Sequence, residues 1–277
     1  MNQLYNQKKK EFDKLIRNYF PKDSEFSEIL NYSIDSGKRI RPIILLEVDK
    51  MIKDGETGNN DIAQDFAISL ELIHNYSLVH DDLPAMDDDK YRRDRKTTHY
   101  KYGEDLGILA GDALLNYSYE LLFKTLLDNN ENHIIKAAQY LAKSSGHEGM
   151  ILGQIYDIKD NLKNIEDIKL MYKNKTCRLI MAATTIPGYL NNLNDSQLYK
   201  LEELGYNIGM AFQLQDDLLD LDQDEQINKL TYIKYRGIDK TKEDILRYSN
   251  NAIKILKSFD HNEFLINLIK DLIERAY

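Results

Sequence analysis

The chain of 277 residues has one cysteine, Cys177, which excludes an intrachain disulfide and a zinc cluster built on several thiolates. Cys177 has no obvious activating base, so a packed thiol is expected rather than a nucleophile. Prolines occur only at positions 21, 42, 84 and 187, which leaves long stretches where a helix can run unbroken. No window approaches the roughly 20 apolar residues of a membrane span. The start of the chain, Met1-Asn2-Gln3-Leu4 and then Lys8-Lys9-Lys10, lacks the apolar core of a signal peptide. A cytoplasmic protein with no membrane span is expected. Positive charge is also in deficit: the net charge of −9 argues against general binding to nucleic acid or an anionic membrane. Internal repeats, linkers and low-complexity blocks are missing, and no run of alternating residues with hairpin turns marks a sheet.

What is present is helical periodicity. With 42% hydrophobic and 30% charged residues, a packed core is expected. Phe12, Leu15, Ile16 and Tyr19 form one stripe before Pro21. Further helices are expected over about 24–36, 40–53, 61–83, 104–128, 131–145, 147–158, 165–186, 195–222, 241–258 and 261–275. Gly55 to Asn60 is the clearest loop. Asp195-Ser196 and Thr241 offer N-cap chemistry. The whole is expected to be one all-α domain, residues 1–277, of around ten or more helices.

Two aspartate clusters stand out: Asp81-Asp82-Leu83-Pro84-Ala85-Met86-Asp87-Asp88-Asp89 and Gln213-Leu214-Gln215-Asp216-Asp217-Leu218-Leu219-Asp220. Asp216 and Asp220 share a helical face and repel unless something neutralises them, whereas Asp217 points elsewhere. Asp81 and Asp87 are six apart, off the helical period, but Pro84 should end or kink the helix and let them converge. Each cluster alone is also compatible with a solvated acidic face or loop. Two acidic helical faces meeting across a cavity would suit a magnesium–diphosphate site, because hard cations take carboxylate oxygens and bridge to phosphates.

Basic residues adjoin the acids. Tyr91-Arg92-Arg93-Asp94-Arg95-Lys96 follows the first cluster, Gly37-Lys38-Arg39-Ile40-Arg41-Pro42 forms another group, and Lys175-Thr176 lies in a helical segment. Arginine forks and lysine charges suit phosphate oxygens. His74 lies two turns before Asp81 and has the chemistry to donate to a phosphate oxygen, whereas a packing role is expected for His80.

The motifs Gly37-Lys38-Arg39-x-Arg41-Pro42, Ile73-His74 through Asp89, Arg92-Arg93, Leu109-Ala110-Gly111-Asp112-Ala113-Leu114, Gly149-Met150-x-x-Gly153-Gln154-x-x-Asp157, Lys175-Thr176 and Phe212-Gln213-x-Gln215-Asp216-Asp217-x-x-Asp220 run in one order over about residues 37–235. In these the chain resembles short-chain trans-isoprenyl diphosphate synthases of the bacterial farnesyl or geranylgeranyl type. The resemblance implies an all-α isoprenoid synthase fold around a central cavity, a homodimer, and three Mg²⁺ ions held on Asp81, Asp87 and Asp216. It implies isopentenyl diphosphate on Lys38, Arg41, His74 and Arg93. It implies the allylic diphosphate on Arg92, Lys175 and Gln213, with Asp82 among the catalytic residues and Thr176 and Gln154 lining the reacting region; Lys229 is a further candidate for the allylic diphosphate, although it matches a later lysine of the family's pattern better. Tyr76 and Ser77 would set chain length, with Tyr76 about one and a half turns before Asp81, and the expected product is farnesyl diphosphate.

The chain departs from the family's pattern in three places. Asp94 stands where glycine is usual, in a position to weaken the arginines or face solvent. Cys177-Arg178 replaces a Gly-Ala pair, and its bulk is expected to crowd a helix contact. Lys229-Leu230-Thr231-Tyr232 begins only nine positions after Asp220, so a loop that normally supplies a lysine is shortened. That loop is the only support for an alternative reading as a weakly active partner subunit; a geranylgeranyl synthase is another alternative. A terpene cyclase would lack the Gly-Lys-x-x-Arg group, and a simple acidic metal binder leaves the basic motifs unexplained.

Overall fold

The structure is a computed structural model that describes residues 3–17, 20, 24–35, 37–55, 61–159, 162–221 and 231–273. Pro21, loop positions 56–60 and Lys229, with most of the shortened loop, lie outside these. Backbone packing divides the chain into two compact units, Asn2–Ile43 with Asn60–Asn130, and Ile44–Asn59 with Glu131–Tyr277. Almost everything described is helix, as the periodicity predicts.

The first unit contains α1 (Gln3–Arg17), α2 (Glu25–Ile34), the start of α3 (Ile40–Ile52), α4 (Asp61–Asp81), α5 (Thr98–Tyr102) and α6 (Glu104–Asp128). Helix α4 is apolar on nearly all sides: Phe66, Ala67, Ile68, Leu70, Leu72 and Ile73 are all inaccessible to solvent. A helix of this kind is stable only when surrounded, and α4 packs along α6. Between α4 and α5 the chain forms one small antiparallel hairpin, β1 (Tyr91–Arg92) and β2 (Arg95–Lys96), too short to show a strand period in sequence. Its two turn residues, Arg93 and Asp94, both have positive φ, as a two-residue turn between right-twisted strands requires. The aspartate in place of glycine is tolerated because Asx residues adopt this conformation more readily than most, and its side chain is exposed.

The second unit contains α7 (Asn132–Ser145), α8 (Met150–Lys159), α9 (Ile165–Tyr172), a five-residue π-helical segment (Lys173–Cys177), α10 (Arg178–Leu190), α11 (Asp195–Leu219), α12 (Tyr232–Arg236), α13 (Ile238–Leu256) and α14 (Glu263–Ile273). Three expectations are corrected here. The helix expected over 165–186 is interrupted by the π segment and continues through Pro187, with Asn191 N–H closing on the Pro187 carbonyl at 3.0 Å. Helix α11 is capped by Asn194, not Asp195-Ser196, in a reciprocal box with Gln197. Thr241 is an interior residue of α13 whose hydroxyl bonds the Gly237 carbonyl, because that helix starts three residues earlier at Ile238.

Helix α10 is buried throughout Leu179–Gly188 and lies against α11 and α7. Bulk at Cys177 is accommodated: a Cβ added at Gly209 of α11 would lie 2.7 Å from its Sγ, so the glycine provides the space. Cys177 is fully buried, as a packed thiol should be. Arg178 turns back to Asn174 at 3.4 Å.

Candidate active site

In the first unit, α4 ends at Asp81. The N–H of Asp87 reaches the Asp81 carbonyl at 2.9 Å, so the turn through Pro84 brings the backbone of Asp87 to the end of α4 despite the six-residue spacing. Asp81 is half-buried and Asp87 exposed. Asp82 differs from both: it is buried, and its carboxylate accepts from Arg92 Nε at 2.7 Å. Burial pushes the Asp82 pKa up to about 6, against the pull of Arg92. Arg92 also reaches Asp89 at 3.4 Å. Asp82 therefore holds an arginine of the hairpin rather than facing outward beside Asp81.

The hairpin carries Arg93 back to the first basic motif. A Cβ placed on Gly37 would lie 3.2 Å from Arg93 Nη1, so the two basic segments meet. Arg93 is exposed, yet partial loss of water around its guanidinium lowers its pKa, and neighbouring Arg92 and Arg39 lower it further. Lys38 is exposed, and its carbonyl accepts from Tyr5. Arg41 Nη1 donates to His74 Nε2 at 3.1 Å. Because arginine is always a donor, Nε2 accepts, and the ring hydrogen sits on Nδ1. Of the two ring nitrogens, Nδ1 is thus the donor. Burial, and then the charges of Arg41, Arg93, Arg39 and Arg92, hold the His74 pKa well below its ordinary value. The unfolded chain takes up this proton near pH 6.5 and the folded chain does not. Stability is then full above that pH and falls below it, by up to about 1.4 kcal/mol per pH unit from this group. Urea unfolding at pH 7 and pH 5.5 measures the loss, and His74→Gln is expected to remove that part.

Further along α4, Tyr76 is buried edge-to-face against His80, with centroids 5.8 Å apart. Ser77 is spent on the His74 carbonyl at 2.9 Å. His80 has its packing role: it reaches the Ile108 carbonyl at 3.0 Å and lies so close to Gly111 that a Cβ there would collide with the ring.

In the second unit, Lys175 and Thr176 sit in the π segment, a feature that often marks functional positions and leaves no simple trace in periodicity. A Cβ on Gly153 would strike the Lys175 backbone, so only glycine lets α8 approach this closely. The next residue, Gln154, has a buried amide nitrogen with no hydrogen-bond partner among the described residues. Lys175 is paired with Asp157 one turn further along α8. Thr176 donates to Gln213 Oε1 at 2.7 Å, and Gln213 Nε2 donates to Asp217 at 3.1 Å. Asp216 is half-buried and Asp220 exposed at the end of α11.

Asp81, Asp87 and Asp216 offer only hard carboxylate oxygens. Among the described residues no three acidic, histidine or cysteine side chains form a metal site by themselves. Carboxylate oxygens of this kind fit Mg²⁺, which usually keeps waters and takes one or two carboxylates with substrate phosphates. A cavity of about 720 Å³ in the first unit, lined by Lys14, Arg17, Asn31, Tyr32, Lys101 and Tyr102 among others, holds none of the expected site residues.

The all-helical fold is that of the isoprenoid synthases. The family model of polyprenyl synthetases matches residues 23–233, and the chain belongs to that family. The farnesyl diphosphate synthase of Micrococcus luteus is 36% identical over 280 positions, covering 95% of this chain and 94% of that protein. The geranylgeranyl diphosphate synthase of Cyanophora paradoxa is 34% identical, covering 86% of each. Among solved structures, an FPP/GFPP synthase from Zymomonas mobilis superposes with a TM-score of 0.88 at 26% identity, covering 98% of this chain and 97% of that one. A geranyltranstransferase from Thermotoga maritima gives 0.84 at 29% identity, covering 99% and 100%.

Proposed function

We propose that the protein condenses isopentenyl diphosphate with dimethylallyl or geranyl diphosphate to give farnesyl diphosphate, as a Mg²⁺-dependent homodimer in the cytoplasm. The observation that carries this reading is the first unit's arrangement. There the Asp81–Asp89 turn leads into a hairpin on which Arg92 grips Asp82 and Arg93 meets Gly37. Lys38, Arg41, His74 and Arg93 bind isopentenyl diphosphate. Arg92, Lys175 and Gln213 bind the allylic diphosphate. Asp81, Asp87 and Asp216 would hold three Mg²⁺ ions, which would neutralise the charge on the diphosphates. The allylic C–O bond breaks, the isopentenyl double bond attacks the allylic cation, and a proton leaves to the released diphosphate. The chain's share is to position both substrates, exclude water and stabilise developing charge; no side chain acts as a nucleophile. Residues 1–277 work as one catalytic domain in this reading. The homodimer is supported by α6, on which Ile108, Leu109, Phe123 and Leu127 are exposed within an arc of about 100°.

The test is a product assay with isopentenyl diphosphate, Mg²⁺ and either primer. A fifteen-carbon product supports the reading. A twenty-carbon product keeps the enzyme and overturns the role of Tyr76. No product from either primer favours the partner subunit, for which the shortened loop before Lys229 speaks. Tyr76→Ala is expected to shift the main product to longer chains, read by chromatography; an unchanged product would place the limiting wall elsewhere.

A further inference from the structure

Asp216 and Asp217 are identical in sequence chemistry but not in surroundings. Asp217 is buried on α11, and its two carboxylate oxygens meet different donors. Tyr172, the last residue of α9, donates its hydroxyl to Oδ2 at 2.6 Å. Gln213, one turn earlier on α11, donates its amide nitrogen to Oδ1 at 3.1 Å. Gln213 then presents Oε1 to Thr176, which donates at 2.7 Å. Tyr172 is itself buried, and its oxygen receives the Tyr232 N–H at 3.4 Å.

The direction of every bond follows from one end. A carboxylate only accepts, so Tyr172 must donate and Gln213 must turn its NH₂ toward Asp217. The carbonyl of Gln213 is then fixed on the other side, and a carbonyl oxygen can only accept. Thr176 must therefore spend its proton on Gln213, and what its hydroxyl has left to offer is a pair of lone pairs.

We propose that Tyr172 and Asp217 are positioning residues that fix the polarity of Gln213 and Thr176, so that Thr176 turns lone pairs rather than a proton toward the reacting allylic carbon. This rests on the prenyl-transfer reading above. An oxygen lone pair stabilises the positive charge that develops when the allylic C–O bond breaks, whereas an O–H turned the same way opposes it.

Asp217→Asn tests the direction. An asparagine accepting from Tyr172 offers its own NH₂ to Gln213; the glutamine amide turns over, and Thr176 becomes the acceptor with its proton pointing out. The expected result is a fall in kcat of about 100-fold. That fall is expected to disappear when Asp217→Asn is made in a Thr176→Val background, where no hydroxyl remains to be turned. Tyr172→Phe, a milder change if Asp217→Asn does not fold, is expected to lose about tenfold with the same non-additivity. A purely structural Asp217 would cost the same in both backgrounds, and that result overturns the proposal. Selective ¹⁵N labelling of glutamine gives a readout independent of turnover. The Gln213 amide protons should shift in Asp217→Asn, and unchanged signals would also overturn the relay. If the wild-type protein makes no prenyl product, the functional reading fails while the amide signals still report on the relay.

Discussion

Replacing Arg39 with alanine is expected to destabilise the protein by about 3–5 kcal/mol, the cost of leaving a buried charge without its partner. Arg39 is 3% exposed and Glu71, which accepts from its Nη1 at 2.8 Å, is 2% exposed. The same guanidinium donates from Nε to Asp13 on α1 at 2.8 Å and also to the Ile34 carbonyl at the end of α2. One side chain thus ties α1, α2 and α4 around the segment that carries Lys38 and Arg41. Burial alone lowers the Arg39 pKa, but Glu71 and Asp13 outweigh it and leave it raised. Burial likewise raises the Asp13 pKa, yet Lys9 and Arg39 bring it below its ordinary value, so its contribution is present at neutral pH and lost as pH falls below about 4. Urea denaturation reads the loss in Arg39→Ala. Arg39→Met combined with Glu71→Leu is expected to recover most of it, because no buried charge is left behind. Arg39→Lys should not, since a lysine lacks the planar fork that reaches three acceptors.

Asp216→Asn is expected to lower kcat/KM by about 1,000-fold, equivalent to about 4 kcal/mol of transition-state stabilisation. The substitution keeps the size of the side chain and removes the charge that the proposed role requires. Raising Mg²⁺ should recover only part of the loss, and thermal unfolding without substrate should change little, because Asp216 is only half-buried. Turnover within tenfold of wild type would remove Asp216 from the metal-binding set. The neighbouring Asp217→Asn should leave the Mg²⁺ dependence where it is, since that carboxylate is turned to Tyr172 and Gln213.

The contrast between these two aspartates shows how far the sequence reaches. Periodicity sufficed for α4, α6 and α11, because an apolar stripe or an apolar helix is a local pattern that burial then satisfies. It failed at the π segment, where one extra residue per turn shifts the face without changing composition, and at the Arg93-Asp94 turn, where two residues of positive φ look like any charged loop. Motif order alone identified the family, and the acidic and basic residues of the proposed site stand within those motifs. Arg39 was visible too, but only as one cation among neighbours; the buried Glu71 and the half-buried Asp13 that claim it lie 32 and 26 residues away along the chain. Tyr172 likewise had no signal beyond standing three residues before Lys175. The sequence by itself determined the all-helical class and which chemistry is available. Tertiary structure decided which charges are spent on one another and which way each hydrogen bond runs, because a side chain's partner and its proton direction depend on contacts that periodicity does not encode.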